Sequence, residues 1–354
     1  HSDQEEALYK IIDGSPLKGD QPLTPTLKAP DGRPIYNQTG RNTYKGGLYN
    51  ESGGEREVVS LAFSRYFNDG DGSFTIGYTH QNIDELSGMA STTANSSYGK
   101  YAASDYNNRT AQRSIYETEH RLFATMSSTH YFLGADKPTT FNLYFERKSG
   151  LPGTYSWDTY TSGNYGGTAY QREAFGYEKN LNDDSSHLIY VPSGIDDPNV
   201  CWGSCDGAPD LAIANQVLDM LYNQLGLASY AGQIVPNGVY EYPWQTSLDL
   251  KITQILPGFR AEDEFVISLG IENLLNLIDS NKGEIEYGNY NGKMAVLDMF
   301  MNEDFSKYIY PNYKGRGYPD WAYGFNQSNP KGIRKSAVNS IWRAQLGFTY
   351  KFSF

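Results

Sequence analysis

Two cysteines, five histidines and a heavy load of tyrosine are the residues of this chain with chemistry to offer. Cys201 and Cys205 stand four apart in Asp-Pro-Asn-Val-Cys-Trp-Gly-Ser-Cys-Asp. A Gly-containing turn of that length closes a small structural disulfide loop in an oxidising compartment; two free thiols are the alternative. Zinc needs more ligands than this pair supplies, and no histidine clusters beside it. His80, His120, His130 and His187 are scattered, mostly near strand ends, so no metal is assigned. Asp183-Asp184 and Asp196-Asp197 offer oxygens that suit Ca²⁺, but without EF-hand spacing, and no other cofactor is expected. Nothing points to catalysis: Gly-x-Ser-x-Gly, His-Glu-x-x-His and a phosphate loop are all absent, and no catalytic residue is assigned.

Aromatic surface is what the chain has in abundance. It carries 30 Tyr and 36 Gly in 354 residues. Tyr suits a boundary where its ring meets lipid headgroups and its hydroxyl meets water, and a Tyr-rich glycan binder would also use it. Tyr155, Trp157, Trp202, Tyr287, Tyr290 and Trp321 fall between predicted strands and are the candidate ligand-binding residues. Such rings stack on sugars or clamp peptides, although packing of loop on loop needs the same residues. A formal net charge of -12, with no basic stripe, argues against nucleic acid.

The elements that must hold these residues are strands. From Trp342 to the end, Trp342, Ala344, Leu346, Phe348, Tyr350, Phe352 and Phe354 alternate with Arg343, Gln345, Gly347, Thr349, Lys351 and Ser353. Period-two alternation of this kind suits a strand with lipid on one side and a wet lumen on the other; a last strand buried in a soluble β-sandwich is the alternative. Six more strands follow from the same pattern and its turns, over about 57–67, 73–80, 120–132, 139–149, 244–255 and 264–273, with the last at 340–354. Leu61 and Phe63, Phe74 and Ile76, Phe141 and Leu143, Leu250 and Ile252, and Ile267 and Leu269 share the apolar side, while the facing of 120–132 is not settled by its sequence. Glu146, Asp249, Lys251, Glu272, Arg343 and Lys351 are expected as paired charges on the polar side. Mean hydropathy is −0.59. No stretch approaches the ~20 apolar residues of a membrane helix, a test to which barrels are blind.

Short and long connections alternate. Residues 81–119, 150–243 and 274–339 are long, and the links between the other strands are tight Gly/Asn/Asp/Pro turns. That asymmetry belongs to an outer-membrane barrel with short periplasmic turns and long extracellular loops. Residues 1–56, rich in Gly, Pro, Asn and Asp, read as another extracellular loop, and 57–354 as barrel. Seven strands are odd in number and too few to close, so further strands are expected from outside this sequence. A helix is expected over Asp210–Leu225, with Leu211, Ala214, Leu218, Leu221 and Leu225 on one face; it would pack on other loops or dock a partner. HSDQEEALYK shows no export signal, so one is expected to have been removed or to lie upstream.

Gly232-Gln233-Ile234-Val235-Pro236-Asn237, Pro243-Trp244, Ser247-Leu248-Asp249-Leu250 and Ile271-Glu272-Asn273-Leu274-Leu275-Asn276 occur in that order. Together with Glu146-Arg147-Lys148-Ser149-Gly150-Leu151-Pro152 and the terminal Phe354, the set resembles the late barrel of Oar-like (OmpA-related) TonB-dependent receptors. The resemblance implies an all-β transmembrane antiparallel barrel of about 22 strands, of which this chain holds the last seven. It implies an amino-terminal plug and a TonB box, neither on this chain, driven through the TonB system in the outer membrane of a Gram-negative bacterium. It also implies that Trp342, Phe348, Tyr350, Phe352 and Phe354 serve as an assembly signal. The function expected is a non-enzymatic wall and extracellular binding loops for a large ligand taken up or secreted. A passive porin, a surface adhesin on a barrel anchor and a soluble glycan-binding β-protein are the alternatives.

Overall fold

The structure, a computed structural model, describes residues 3–12, 27–35, 45–87, 97, 101–158, 187–260, 262–288, 292–302, 304–310 and 332–352. The protein is predominantly antiparallel β. Eight strands pair in chain order: β1 Asp3–Ile12, β2 Lys45–Phe67, β3 Gly72–Glu85, β4 His120–His130, β5 Thr139–Lys148, β6 Gln245–Pro257, β7 Glu264–Glu272 and β8 Arg343–Lys351. A short strand at Gln112–Arg113 extends the β4 side by pairing with Asp84 and Glu85. The sheet is open among the described residues: β8 pairs only with β7, and β1 covers only Lys45–Glu55 of β2. No closed barrel is formed by these strands.

Several expected boundaries change, among them that of β3, which runs on to Glu85 through residues 81–85 expected as loop. Residues 3–12 and 45–56, expected as loop, are strand, so the sheet has eight members in sequence rather than seven. Their sequence hid this because Gly46, Gly47, Gly53, Gly54 and interspersed charges give no alternation. Gly53, at φ +142°, is the extra residue of a bulge where the β1–β2 register slips. At the other end β8 begins at Arg343, because Ser336 caps one helical turn over Ala337–Ser340 and accepts from the Asn339 N–H.

Alternation explains the register. Phe63, Ile76, Ala124, Phe145 and Leu248 form one cross-strand row, and Met126, Leu143, Leu250, Ile271 and Ala344 run through the next. On the opposite face Ser64, Thr75, Thr125 and Tyr144 align, then Ser73, Ser127, Asn142, Lys251, Gly270 and Gln345. One face of the sheet is therefore apolar and the other polar over every strand from β2 to β8. The ambiguous strand, β4, places Leu122 and Met126 on the apolar side and Phe123 on the polar side. Gly77 lies opposite Phe123 and leaves room for its ring, since a Cβ there would sit 2.3 Å from it. A ring resting on a strand glycine obscured the pattern.

The tight turns, Asn68–Asp71, Tyr131–Pro138 and Gly258–Asp263, lie at one end of the sheet and the long connections at the other. The hydrophobic core lies in those long connections and not on the sheet. It runs from Ala29 and Ile35 through Tyr106, Trp157, Val191 and Trp202 to Val296 and Tyr310, and none of its residues belongs to the apolar face. Parallel pairing of 293–298 on 152–158 and of 308–310 on 200–202 stitches the third and fourth connections into one body. Among the described residues no helix is long and apolar enough to cross a membrane.

Candidate functional site

The surfaces able to meet something outside the chain are the two sheet faces and the rim where the sheet enters the loop body. On the apolar face Leu61 is 75% exposed, and Phe63 and Phe348 are each 61% exposed. Aromatic contacts gather near the tight-turn end, where Phe265 stacks on Phe348 and Tyr350 lies 4.7 Å from Phe352. The Tyr350 hydroxyl donates to Asp263 at 2.7 Å and accepts from the Phe259 N–H at 2.8 Å, pinning the β6–β7 turn to the last strand. Phe354 lies outside the described residues. Near the rim the same face carries Tyr78, His80, His120 and Trp244, with the Arg147 guanidinium 5.5 Å over the Trp244 ring.

The polar face is a wall of small hydroxyls and paired charges. Ser60 meets Thr79, Ser64 meets Thr75, and Thr129 meets Thr140, each within 3.0 Å. Arg121 grips Glu146 at 2.7 Å, and Lys351 lies 3.0 Å from Glu264. Arg343 reaches Glu272 at 3.7 Å, and Asp249 accepts from the Asn273 N–H. An open concavity lies over this face, lined by Thr125, Ser127, Asn142, Tyr144, Asp249 and Lys251.

The candidate ligand-binding aromatics have diverged in placement. Tyr155, Trp157 and Trp202 are buried in the loop core, so their rings pack loop on loop and offer no open face. Trp157 lies beneath the Arg33 guanidinium at 4.6 Å and against Tyr308, while Trp202 stacks on Tyr310 and donates its indole N–H to the Ile195 carbonyl. Burial takes precedence because the four connections have no other source of core. Tyr287 is exposed at the rim strand 286–287. Tyr290, Trp321 and the Asp183-Asp184 pair lie outside the described residues. Cys201 and Cys205 are bonded, with Cα atoms 5.0 Å apart. Asp197 is saturated: its carboxylate accepts from Tyr190 Oη, Ser193 N and Oγ, and Asn199 N. Burial pushes the Tyr190 phenol up to about 12, so its hydroxyl stays a donor to Asp197.

The helix is shorter than expected, and its expected face turns inward at every position but Leu211. It spans α1 Leu211–Asp219, with Asp210 accepting from the Ala212 and Ile213 N–H groups, and widens into a π turn over Met220–Gln224. Ile213, Ala214, Val217 and Leu221 are buried while Leu211 is exposed. Leu218 and Leu225 of the expected face pack against the core, and Ile213 and Val217 widen that face in place of Leu211.

The segments at 146–152, 232–237 and 271–276 knit loops to rim. Gly150 lies against the chain at Tyr242, where a Cβ would sit 2.0 Å from the carbonyl oxygen. Asn273, left-handed at φ 54°, ends β7 and donates its amide to Gly283 O at 2.8 Å and Ser340 O at 3.0 Å. Asn237 takes a bond from the Thr154 hydroxyl, and its own N–H donates to Gln112. Arg113 reaches Glu117 at 2.6 Å, and Glu119 and Glu241 at 2.7 Å each. Burial alone would raise the Glu241 carboxyl, but the Arg113 guanidinium prevails and holds it below its usual value of 4.5.

One constellation is new. The β3–β4 register sets His80 directly opposite His120, with their rings 5.0 Å apart and Glu119 beside them. One ring nitrogen of each histidine and a carboxylate oxygen of Glu119 lie within 4.8 Å of one another. The histidines are far apart in sequence, and only the strand pairing, with each imidazole at the rim, could have revealed the cluster. No protein-family model, curated protein or solved structure matches the chain.

Proposed function

We propose that the chain forms the carboxy-terminal wall and outer binding body of a TonB-dependent outer-membrane transporter for a large ligand. One observation carries the membrane part. An apolar face extends over seven adjacent strands with nothing among the described residues to cover it, while the hydrophobic core sits elsewhere, in the loop body. A soluble sandwich would bury that face against a second layer. Lipid is the solvent that suits it, and the polar face then lines the lumen.

The strand geometry supports the same reading. β2 has 23 residues, about 75 Å at ~3.3 Å each, against a hydrocarbon layer ~30 Å thick. Its inner half spans, and its outer half, paired with β1, rises with the loop body. Among the described residues, open edges at β8 and along Arg56–Phe67 leave unpaired backbone groups that lipid cannot satisfy. Further strands therefore close the wall, together with a plug that holds the TonB box. Energy coupling rests on the family resemblance of the rim segments and on nothing else in the chain. A wall with no plug would be a porin or an adhesin anchor.

The test has two arms. Membranes bearing the protein are extracted with and without detergent, and release by buffer alone refutes the membrane reading. Detergent-extracted material is then purified through this chain. A companion carrying a plug and further strands is expected, and a plug-free conducting pore overturns the transporter reading while leaving the barrel intact.

A further inference from the structure

We propose that His80, His120 and Glu119 bind one divalent transition-metal ion of the Zn²⁺ class at the rim of the sheet. Two imidazoles and one carboxylate are a donor set suited to Zn²⁺, Cu²⁺ or Ni²⁺, and three protein ligands leave a fourth position open. The spacing suits such an ion. His120 Nε2 and Glu119 Oε1 are 3.2 Å apart, close to the roughly 3.3 Å edge of a tetrahedron with ligands about 2.0–2.1 Å from its centre.

Each ligand is oriented from behind. His80 Nδ1 sits 3.2 Å from the Glu119 carbonyl oxygen, which can only accept, so Nδ1 carries the proton and Nε2 the lone pair. His120 Nδ1 is held by the Tyr78 hydroxyl at 2.8 Å, which leaves Nε2 for the ion. Glu119 Oε2 is occupied by Arg113, leaving Oε1 toward His120. Imidazoles anchored through the far nitrogen and a carboxylate anchored through the far oxygen are how bound metals are supported. With the ion on Nε2, the neutral His120 ring carries its one proton on Nδ1, which donates it to the Tyr78 hydroxyl oxygen, and the ion replaces the His120–Glu119 contact. Trp244 stacks on His120 at 5.9 Å and sets a ring beside the site. The bound ion would fix the end of the second long connection to β3 and β4. This inference does not depend on the transport reading.

The full chain, as purified in detergent and stripped with chelator, is titrated with Zn²⁺ by calorimetry and with Cu²⁺ by electron paramagnetic resonance. One equivalent is expected, with nitrogen hyperfine coupling from two imidazoles and quenching of Trp244 fluorescence by Cu²⁺ that Trp244→Phe removes. His80→Ala and His120→Ala should each weaken Zn²⁺ binding at least about tenfold, while His130→Ala, at the opposite end of β4, leaves it unchanged. The resonance measurement on the unmutated chain decides the matter even where a variant fails to fold. A spectrum without two-nitrogen coupling, or affinity retained in His80→Ala/His120→Ala, overturns the proposal.

Discussion

Single side chains in the loop body carry more than their exposure suggests. Trp157 is enclosed by Arg33, Tyr308 and the chain at His187, whose carbonyl takes the Trp157 backbone N–H. Trp157→Ala should therefore cost about 3–5 kcal/mol, read as a lower melting transition of the loop body, with Trp157→Phe costing less. Loss of ligand affinity at unchanged stability would instead place the ring in a binding surface. Asn273 separates two contributions. Asn273→Gly keeps the left-handed backbone and loses two amide bonds, worth about 1–3 kcal/mol together, and Asn273→Ala should cost about 1 kcal/mol more. Equal melting temperatures for the two variants would contradict the backbone argument. Residue type was legible here and environment was not. Aromatics between strands serve equally to bind or to pack, and only the meeting of four distant connections decided for packing at Tyr155, Trp157 and Trp202.

At the scale of elements, alternation made the sheet readable, because a sheet with one apolar and one polar face constrains every second residue. Leu250, Ile267 and Phe348 declared their side without any structure. The pattern failed where that constraint lapses: in β1 and the outer half of β2, which carry no apolar row, and in β4, where Phe123 rests over Gly77. On the lipid-facing reading, Phe348→Arg should reduce folding into vesicles by about 2–4 kcal/mol, whereas Gln345→Arg on the polar face is tolerated. Equal yields for the two would remove the sidedness. The rim responds to acid through Glu241. Its folded pKa lies below 4.5, so its stabilisation is complete above that value and is lost as pH falls through the lower folded one. Between about pH 6 and about pH 3.5 the wild type should lose more thermal stability than Glu241→Gln. A variant with the same acid slope would show that Arg113 contributes nothing through this partner.

Taken whole, the molecule is two constructions joined at a rim: an amphipathic sheet without a core and a core without a large sheet. The first was legible because strand periodicity is local. The second was not, because its small strands, at 190–191, 200–202 and 300–301, are too short to show a period and pair across the chain. The histidine cluster was hidden for the same reason, since His80 and His120 become neighbours only through register.

Ala29 and Tyr310 belong to one hydrophobic cluster, and this dictates an order of events in folding. The tight turns join β2 to β3, β4 to β5 and β6 to β7, so these three hairpins zip locally. The loop core needs residues from nearly the full length of the chain and bears a far larger loop-closure cost. Refolding should thus show strand formation first and burial of Trp157 and Trp202 in a later, slower phase. A single simultaneous phase would mean that the loops template the wall.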